Sequence, residues 1–273
     1  MSKRKRTVFI TVWVLALIAV LAAALAIGPT PKSESVQGAM RDAVLHGDNQ
    51  ISLFGQKAVN PALISGFTVT ALLLIFAALV RVLVIPRFTL VPGKFQLVLE
   101  ELVHFFDQLA STNSPHRHKF LGAYIFGAGV YIFAGTMFEL IGLQGITTNG
   151  MPITLPAPLA DINAAIALGC FSYLVILSGG IAGNGLKGIG LTLKEFSLPI
   201  SMSFRLFGAL LSGMLVTELV YYYTCLSFVL PVVVGILFTL MHALIQTYVL
   251  TMLTSVFYGE VSEPAHKTKA KNN

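Results

Sequence analysis

Long apolar segments most limit what this chain can fold into. A helix of about 20 apolar residues crosses a hydrocarbon layer about 30 Å thick. Only 11% of the 273 residues are charged, against about 25% in a typical soluble domain. The sequence therefore predicts an all-α, polytopic membrane protein with about five core transmembrane helices plus an N-terminal hydrophobic segment. The predicted spans are residues 66–85, 120–143, 160–181, 197–223 and 231–258.

The N-terminus combines a basic stretch at residues 3–6 with an apolar run at 8–27. This combination is typical of a signal anchor or a cleaved signal peptide, and both alternatives stay open. A short amphipathic helix is predicted at about 36–45. The predicted regions are the signal segment (1–28), an exported linker (29–62), the membrane domain (63–262) and a cytoplasmic basic tail (263–273).

The net charge of +6 is best interpreted as a topology signal, because basic residues concentrate on the cytoplasmic side of a membrane. We find no pattern typical of nucleic-acid binding. Residues 87–119 carry apolar residues at helical spacing and predict an amphipathic helix at the membrane surface, closed by a basic cluster at 116–119. Residues 144–158 and 183–195 are predicted to be loops. The basic residues that share the cytoplasmic side are Arg87, Lys94, Arg117, Lys119, Lys187, Lys194 and the tail lysines.

Four charged residues lie inside the predicted spans and away from their ends, namely Glu139, Asp161, Arg205 and Glu218. A charge at mid-membrane costs about 2.5–3.5 kcal/mol on insertion scales. Such residues either join helices as ion pairs or line a polar path, and the sequence leaves both alternatives open. Arg205 is the only Lys or Arg between Lys194 and Lys267. Its guanidinium keeps its proton at any accessible pH, so it can act as a fixed charge but not as a proton carrier.

Small residues share one face of the predicted helix with Arg205. Either this face packs within the chain, or it is a docking surface for a partner. The next span carries His242 and Gln246 one turn apart. An antiparallel hairpin that turns near Cys225 would place Gln246 opposite Arg205 and His242 opposite Ala209. The small residues are Ser201, Gly208, Ala209, Ser212 and Gly213.

Four segments resemble, in the same order, motifs of subunit a of the F-type ATP synthases. Residues 198–208 (LPISMSFRLFG) resemble the arginine motif of that family, and residues 244–254 resemble its last helix, with Gln246 as its glutamine. Residues 91–96 resemble the cytoplasmic segment after the first span, and residues 158–163 resemble a P-x-A-D-x-N motif. The resemblance covers most of residues 66–262.

The resemblance implies a stator subunit of a bacterial inner membrane. This subunit provides two half-channels for protons moving to and from carboxylates on a rotating c-ring. It implies that Arg205 is the essential fixed charge and that the b subunits of the peripheral stalk are further partners. No cofactor or metal site is predicted. The ion-path candidates are Arg205, Gln246, Glu218, His242, Asp161, Asn163 and Glu139, and the c-ring-facing candidates are Ser201, Gly208, Ala209 and Ser212.

The chain departs from the family pattern near the arginine. Ala209 replaces the usual asparagine, and Met214 replaces a usual polar residue, with Glu218 one turn further on. We hypothesise that Glu218 serves the exported half-channel and that His242 uses the space left by Ala209.

Two alternatives to this function belong to other classes. A secondary ion or anion transporter would normally show internal repeats or broken helices, and we find neither. A structural subunit would need Arg205 paired, but Glu218 lies about 20 Å away along the same helix. A membrane enzyme is disfavoured because the sequence carries no P-loop, HExxH or nucleophile-elbow motif.

Overall fold

Eight α-helices, two short β-hairpins, one π-helical segment (Val80–Val84) and two 3-10 helices (Ile85–Arg87 and Pro158–Ala160) make up the regular structure of the described residues. The computed structural model describes residues 3–27, 35, 37–38, 41, 51–53, 56–148, 150, 152–222 and 230–264. The helices are α1 (Lys3–Ile27), α2 (Pro61–Leu79), α3 (Lys94–Asn113), α4 (His118–Ile141), α5 (Ile162–Asn184), α6 (Leu186–Lys194), α7 (Ser197–Tyr222) and α8 (Leu230–Ser262). The antiparallel hairpins are β1 (Ile51–Leu53) with β2 (Gln56–Val59), and β3 (Gln144–Ile146) with β4 (Pro152–Thr154).

Five helical segments of the described residues are long and apolar enough to cross a membrane. They confirm the five predicted spans. The N-terminal hydrophobic segment is also helical, with exposed apolar side chains between Val8 and Val20. The five segments are Pro61–Arg87, His118–Ile141, Ile162–Asn184, Ser197–Thr217 and Val232–Ser262.

Local sequence explains where two of the spans begin. Asn60 caps α2, because its side chain accepts a hydrogen bond from the Ala62 amide (2.9 Å), and Pro61 occupies the first turn. Asp161 caps α5 in the same way, accepting from the Asn163 amide at 2.9 Å. Both caps therefore satisfy backbone N–H groups that would otherwise lack partners at the membrane boundary.

Contacts between helix ends divide the molecule into two sides. At one end, Asn60 donates to Asp161 and joins the starts of α2 and α5 (2.9 Å). At the other end, Asn184, the last residue of α5, donates to the Val261 carbonyl of α8 (3.0 Å), and Asn113 of α3 donates to Ser255 (3.1 Å). This arrangement agrees with the alternation predicted from the basic residues. We call the first side exported and the second cytoplasmic.

The buried core lies between α4, α5, α7 and α8, where glycines allow helices to approach closely. A Cβ atom on Gly129 of α4 would lie 2.7 Å from the ring of Phe106 in α3. A Cβ atom on Gly169 of α5 would lie 3.0 Å from the Pro199 carbonyl oxygen of α7. Real Cβ atoms rarely come this close to a neighbour. These glycines therefore allow α3 to pack closer to α4, and α7 closer to α5, than alanines would.

The amphipathic surface helix is confirmed as α3. Its C-terminal half buries Phe106 and Ala110 in the core. Its N-terminal half leaves apolar side chains exposed, including Phe95, Val98 and Val103. An apolar face without protein cover at the cytoplasmic boundary is the expected arrangement for a helix lying in the lipid interface.

Most of the loop predicted at 183–195 is a helix, Leu186–Lys194. Gly185 (φ 58°) ends α5, and α6 starts at the next residue. Tyr173 of α5 donates to the Thr192 carbonyl (2.9 Å), and the Gly180 and Gly188 backbones are in close contact. The glycines that favoured a loop thus serve to pack α6 against α5. The region 144–158 contains the β3–β4 hairpin, and most of the predicted helix at 36–45 lies outside the described residues.

Candidate functional site

Arg205 lies on the outer surface of α7. The inner surface of this helix buries Met202, Leu206 and Leu210 at spacings of four residues, so Arg205 points away from the core. Arg205 is exposed in the subunit, and no residue in the described part of the chain forms a hydrogen bond or ion pair with it. The helix therefore presents an uncompensated cation on its outer surface.

The predicted small-residue surface is uncovered around this cation. Ser201, Gly208 and Ser212 are exposed, and Ala209 is half-buried. A Cβ atom built on Gly208 would meet no atom within 4 Å. The Ser212 hydroxyl donates a hydrogen bond to the Ala209 carbonyl of the same helix (2.8 Å). We call Ser201, Arg205, Gly208 and Ser212 the Arg205 face.

His242 contacts Gly213. The predicted hairpin register instead places His242 opposite Ala209, one helical turn away from Gly213. A Cβ atom on Gly213 would lie 3.3 Å from Nδ1 of His242. The His242 ring also meets Phe238 edge-on, with the ring centroids 5.9 Å apart. The His242 ring therefore contacts Gly213 and not the predicted Ala209. Gln246 follows His242 by one turn towards the cytoplasmic end of α8, in the direction of Arg205.

Gln246 points inward, unlike Arg205. Its side chain is only 6% exposed, and Ala243 and Leu250 on the same face of α8 are also buried. The two residues therefore lie in different environments. Arg205 faces outward from α7, and Gln246 lies in the packed interior beside it.

A polar cluster joins three side chains at the exported end. Asn60 Nδ2 donates to Asp161 Oδ2 (2.9 Å), and Asn163 Nδ2 donates to Asp161 Oδ1 (3.1 Å). Sequence reasoning selected Asp161 and Asn163 but missed Asn60. The signal for Asn60 was available, since an asparagine followed by proline at the start of an apolar run is a helix-start pattern. We call Asn60, Asp161 and Asn163 the exported polar cluster.

The two other acidic candidates lie on different helices. Glu139 is half-buried in the last turn of α4, whose next residue, Leu140, lies near Gly235 in the exported half of α8. Glu218 belongs to the exported half of α7, and its side chain lies outside the described part of the structure. In the described residues, no hydrogen bond or ion pair joins Glu139, Asp161 and His242. All of them nevertheless belong to the exported half of the bundle.

Comparison with known proteins identifies the family. The model of the family "ATP synthase A chain" matches residues 63–259. A relative named ATP synthase subunit a, from Cereibacter sphaeroides, is 26% identical over 208 residues, covering 72% of this chain and 80% of its own length. A second relative of that name, from Histophilus somni, is 27% identical over 197 residues, covering 61% of this chain and 73% of its own.

These relatives are bacterial, and five helices of the chain can span a membrane. The chain is therefore a multi-pass protein of the bacterial inner membrane. It is a component of an ATP synthase and is not itself catalytic. The chain belongs to the ATP synthase A chain family, the proton-translocating subunits of the ATP synthase membrane sector.

Proposed function

We propose that this chain is the stator surface against which a ring of c subunits turns, with Arg205 as the fixed charge that meets the ring carboxylates. The observation that carries the proposal is the uncompensated, exposed Arg205 on a face of small residues. A buried partner within the chain would indicate a structural ion pair. An exposed guanidinium flanked by serine and glycine instead permits another helix to approach closely.

Arg205 would act by electrostatics alone. A carboxylic acid on a rotor helix in lipid stays protonated, because hydrocarbon disfavours its charged form. Beside Arg205 the ionised form is favoured, so the proton leaves through one half-channel, and the carboxylate is reprotonated from the other half-channel after it has passed. Each proton that moves through about 100 mV supplies roughly 2.3 kcal/mol, which biases rotation towards synthesis.

We assign the exported half-channel to the polar residues of the exported half of the bundle. These residues lie on different helices, which is the arrangement required of a water-filled path between helices. Gln246 lies near the level of Arg205, where the path would reach the ring. The b subunits of the peripheral stalk would hold the subunit against rotation. The path residues are Glu139, Asp161, Asn163, Glu218 and His242.

Cysteine cross-linking tests whether the Arg205 face meets the ring. In a background with Cys170→Ser and Cys225→Ser, single cysteines would be placed at Ser201, Gly208 and Ser212. Cysteines would also be placed along the outer helix of the c subunit. We expect oxidative cross-links between the two subunits from all three positions, because these positions are exposed on one helix face.

Met202→Cys and Leu206→Cys are the matched controls, since they lie on the same turns of α7 but are 1% exposed. They should give no cross-link to the c subunit. Equal cross-linking from both faces, or none from the Arg205 face in the assembled enzyme, would contradict the proposed docking surface.

Asp161 has a structural role that must be separated from any role in conduction. Asp161→Ala removes a helix cap, which costs about 0.5–2 kcal/mol, and leaves Asn60 without its partner. Asp161→Asn keeps one accepting oxygen for the bonds from Asn163, but it lacks the negative charge and places an NH2 group against the Asn60 NH2 group. We expect the alanine variant to unfold at a lower temperature in detergent than the asparagine variant, which keeps the cap of α5 and loses only the hydrogen bond to Asn60.

Asn60→Ser keeps a capping side chain and the Asp161 charge but loses the same hydrogen bond to Asp161, so comparing ATP synthesis by Asn60→Ser and by Asp161→Asn isolates the effect of the charge. A several-fold lower synthesis rate in Asp161→Asn than in Asn60→Ser is the expected result if Asp161 lines the path. Equal synthesis rates in the two variants would assign Asp161 to a structural role only.

A further inference from the structure

A basic cavity of about 530 Å³ opens at the cytoplasmic end of the bundle, outside the proposed proton path. It lies where α4 begins and where α5 and α8 end. The basic side chains of the 116–119 cluster line it, and no acidic residue is among its lining residues in the described part of the chain. In the sequence, this cluster indicates only which side of the membrane it lies on.

The geometry of the cluster leaves several donors available. Arg117 donates one Nη2–H bond to the Ala182 carbonyl at the end of α5 (2.6 Å). This bond fixes the guanidinium at the cavity and leaves its other N–H groups for a ligand. His118 Nδ1 donates to the Pro115 carbonyl (3.1 Å), and Lys119 is exposed beside it. Arginine held in this way is suited to two-point binding of a phosphate.

A buried tyrosine completes the cavity. Tyr258 of α8 lines it and is only 2% exposed, yet its hydroxyl has no hydrogen-bond partner in the described part of the chain. Its ring fits against Gly179, where a Cβ atom would lie 2.7 Å from Cδ2. The hydroxyl is therefore free to donate a hydrogen bond to an acceptor group of a ligand in the cavity.

The surroundings of the cavity are apolar on the membrane side. Phe120 also lines the cavity and is 58% exposed, and its ring lies 6.5 Å from that of Tyr258. Ile181 on the neighbouring helix is 45% exposed. A ligand held here would thus place a charged group against Arg117 and Lys119 and an apolar part along exposed side chains facing the lipid.

We infer that this cavity binds the phosphodiester headgroup of an anionic phospholipid from the cytoplasmic leaflet. Basic pockets between transmembrane helices on this side favour anionic headgroups, and the cytoplasmic surface is rich in such lipids. Phosphatidylglycerol is the probe that matches this chemistry, with one phosphodiester charge and two acyl chains. The inference needs only the membrane placement of the helices and is independent of the role proposed for Arg205.

Photo-crosslinking in the assembled enzyme tests this site. The complete ATP synthase would be reconstituted into phosphatidylcholine vesicles that contain a trace of photoactivatable phosphatidylglycerol, and labelled peptides would be mapped by mass spectrometry. We expect labelling of residues 116–120 and of the segment around Tyr258. Unlabelled phosphatidylglycerol should compete, whereas inorganic phosphate at the same concentration should not.

The variant Arg117→Gln/Lys119→Gln should weaken competition by phosphatidylglycerol about 25-fold, since each surface cation contributes about fivefold. The matched control is Lys187→Gln/Lys194→Gln, which removes the same charge from exposed positions on the same membrane side and should leave labelling unchanged. Tyr258→Phe keeps the ring packing and removes only the hydroxyl. It should weaken competition several-fold while the thermal stability and synthesis rate of the enzyme stay at wild-type values.

Three outcomes would overturn the inference. Equal losses of labelling in the test and control variants would show that general surface charge, and not this cavity, determines lipid binding. Equal labelling by a photoactivatable phosphatidylcholine would show that the cavity does not select an anionic headgroup. Competition by inorganic phosphate as strong as that by phosphatidylglycerol would assign the cavity to a free anion instead of a lipid.

Discussion

Replacing Arg205 by alanine is expected to abolish proton-driven ATP synthesis while leaving the subunit folded and assembled. An opposite charge within about 4–6 Å shifts the ionisation of a carboxyl group by roughly 10- to 1000-fold. Without the guanidinium, ring carboxylates would stay protonated at the subunit interface, and synthesis should fall by a similar factor. Folding should be preserved because no described residue hydrogen-bonds to Arg205 or pairs with it.

The measurements are ATP synthesis and passive proton flux in vesicles containing the assembled enzyme. Loss of the fixed charge should raise passive flux, since the proposed role of the cation includes blocking direct passage of protons between the two half-channels. Lys187→Ala is the control, because it removes an exposed cation at the membrane surface and should leave both readouts unchanged. A coupled, wild-type synthesis rate in the Arg205→Ala enzyme would refute the proposed role.

The second large effect is expected from Gly169→Leu in α5. A Cβ atom at this position would lie 3.0 Å from the Pro199 carbonyl oxygen and 3.2 Å from the Ser203 amide nitrogen. Both are backbone atoms of α7, and Ser203 lies two residues before Arg205. Even one inserted methyl group in a packed core costs about 1–3 kcal/mol. A leucine must therefore push α7 away, and we expect loss of both stability and synthesis.

Gly127→Leu provides the matched control on α4. Gly127 is exposed, and a Cβ atom there would meet no atom within 4 Å, although the residue also lies in the middle of a span. The control should assemble and synthesise ATP normally. Thermal unfolding in detergent and the yield of assembled enzyme would separate the two variants. Similar behaviour of both would show that the α5–α7 contact does not position the arginine helix.

The membrane architecture was predictable because the physics that fixes it is local in sequence. Apolar length determines which segments can span, and basic residues determine the side of each loop. Both rules needed no contact information, and the five spans and the surface helix α3 were confirmed. Arg205 could also be identified from the sequence alone. A single cation within two apolar helices costs free energy in a membrane whichever way its side chain points.

The remaining details depend on packing between distant segments. His242 contacts Gly213 instead of the predicted Ala209, because counting residues from a presumed turn ignores the length and course of the connection and the lean of the side chain. Residues 183–195 were predicted as a loop because glycine weakens helices, whereas here Gly188 allows α6 to contact Gly180 of α5. The hydrogen bond from Asn60 to Asp161 spans 101 positions, so local patterns could indicate each cap but not their pairing.

The uncovered Arg205 face has a consequence for how the enzyme is made in the cell. A copy of the subunit inserted alone would hold its guanidinium against acyl chains, at a cost of about 2.5–3.5 kcal/mol or more. Capture by rotor helices would relieve that cost. On the proposed function, newly inserted copies without a ring would be the least stable form of the subunit, and its survival in the membrane would depend on the supply of c subunits.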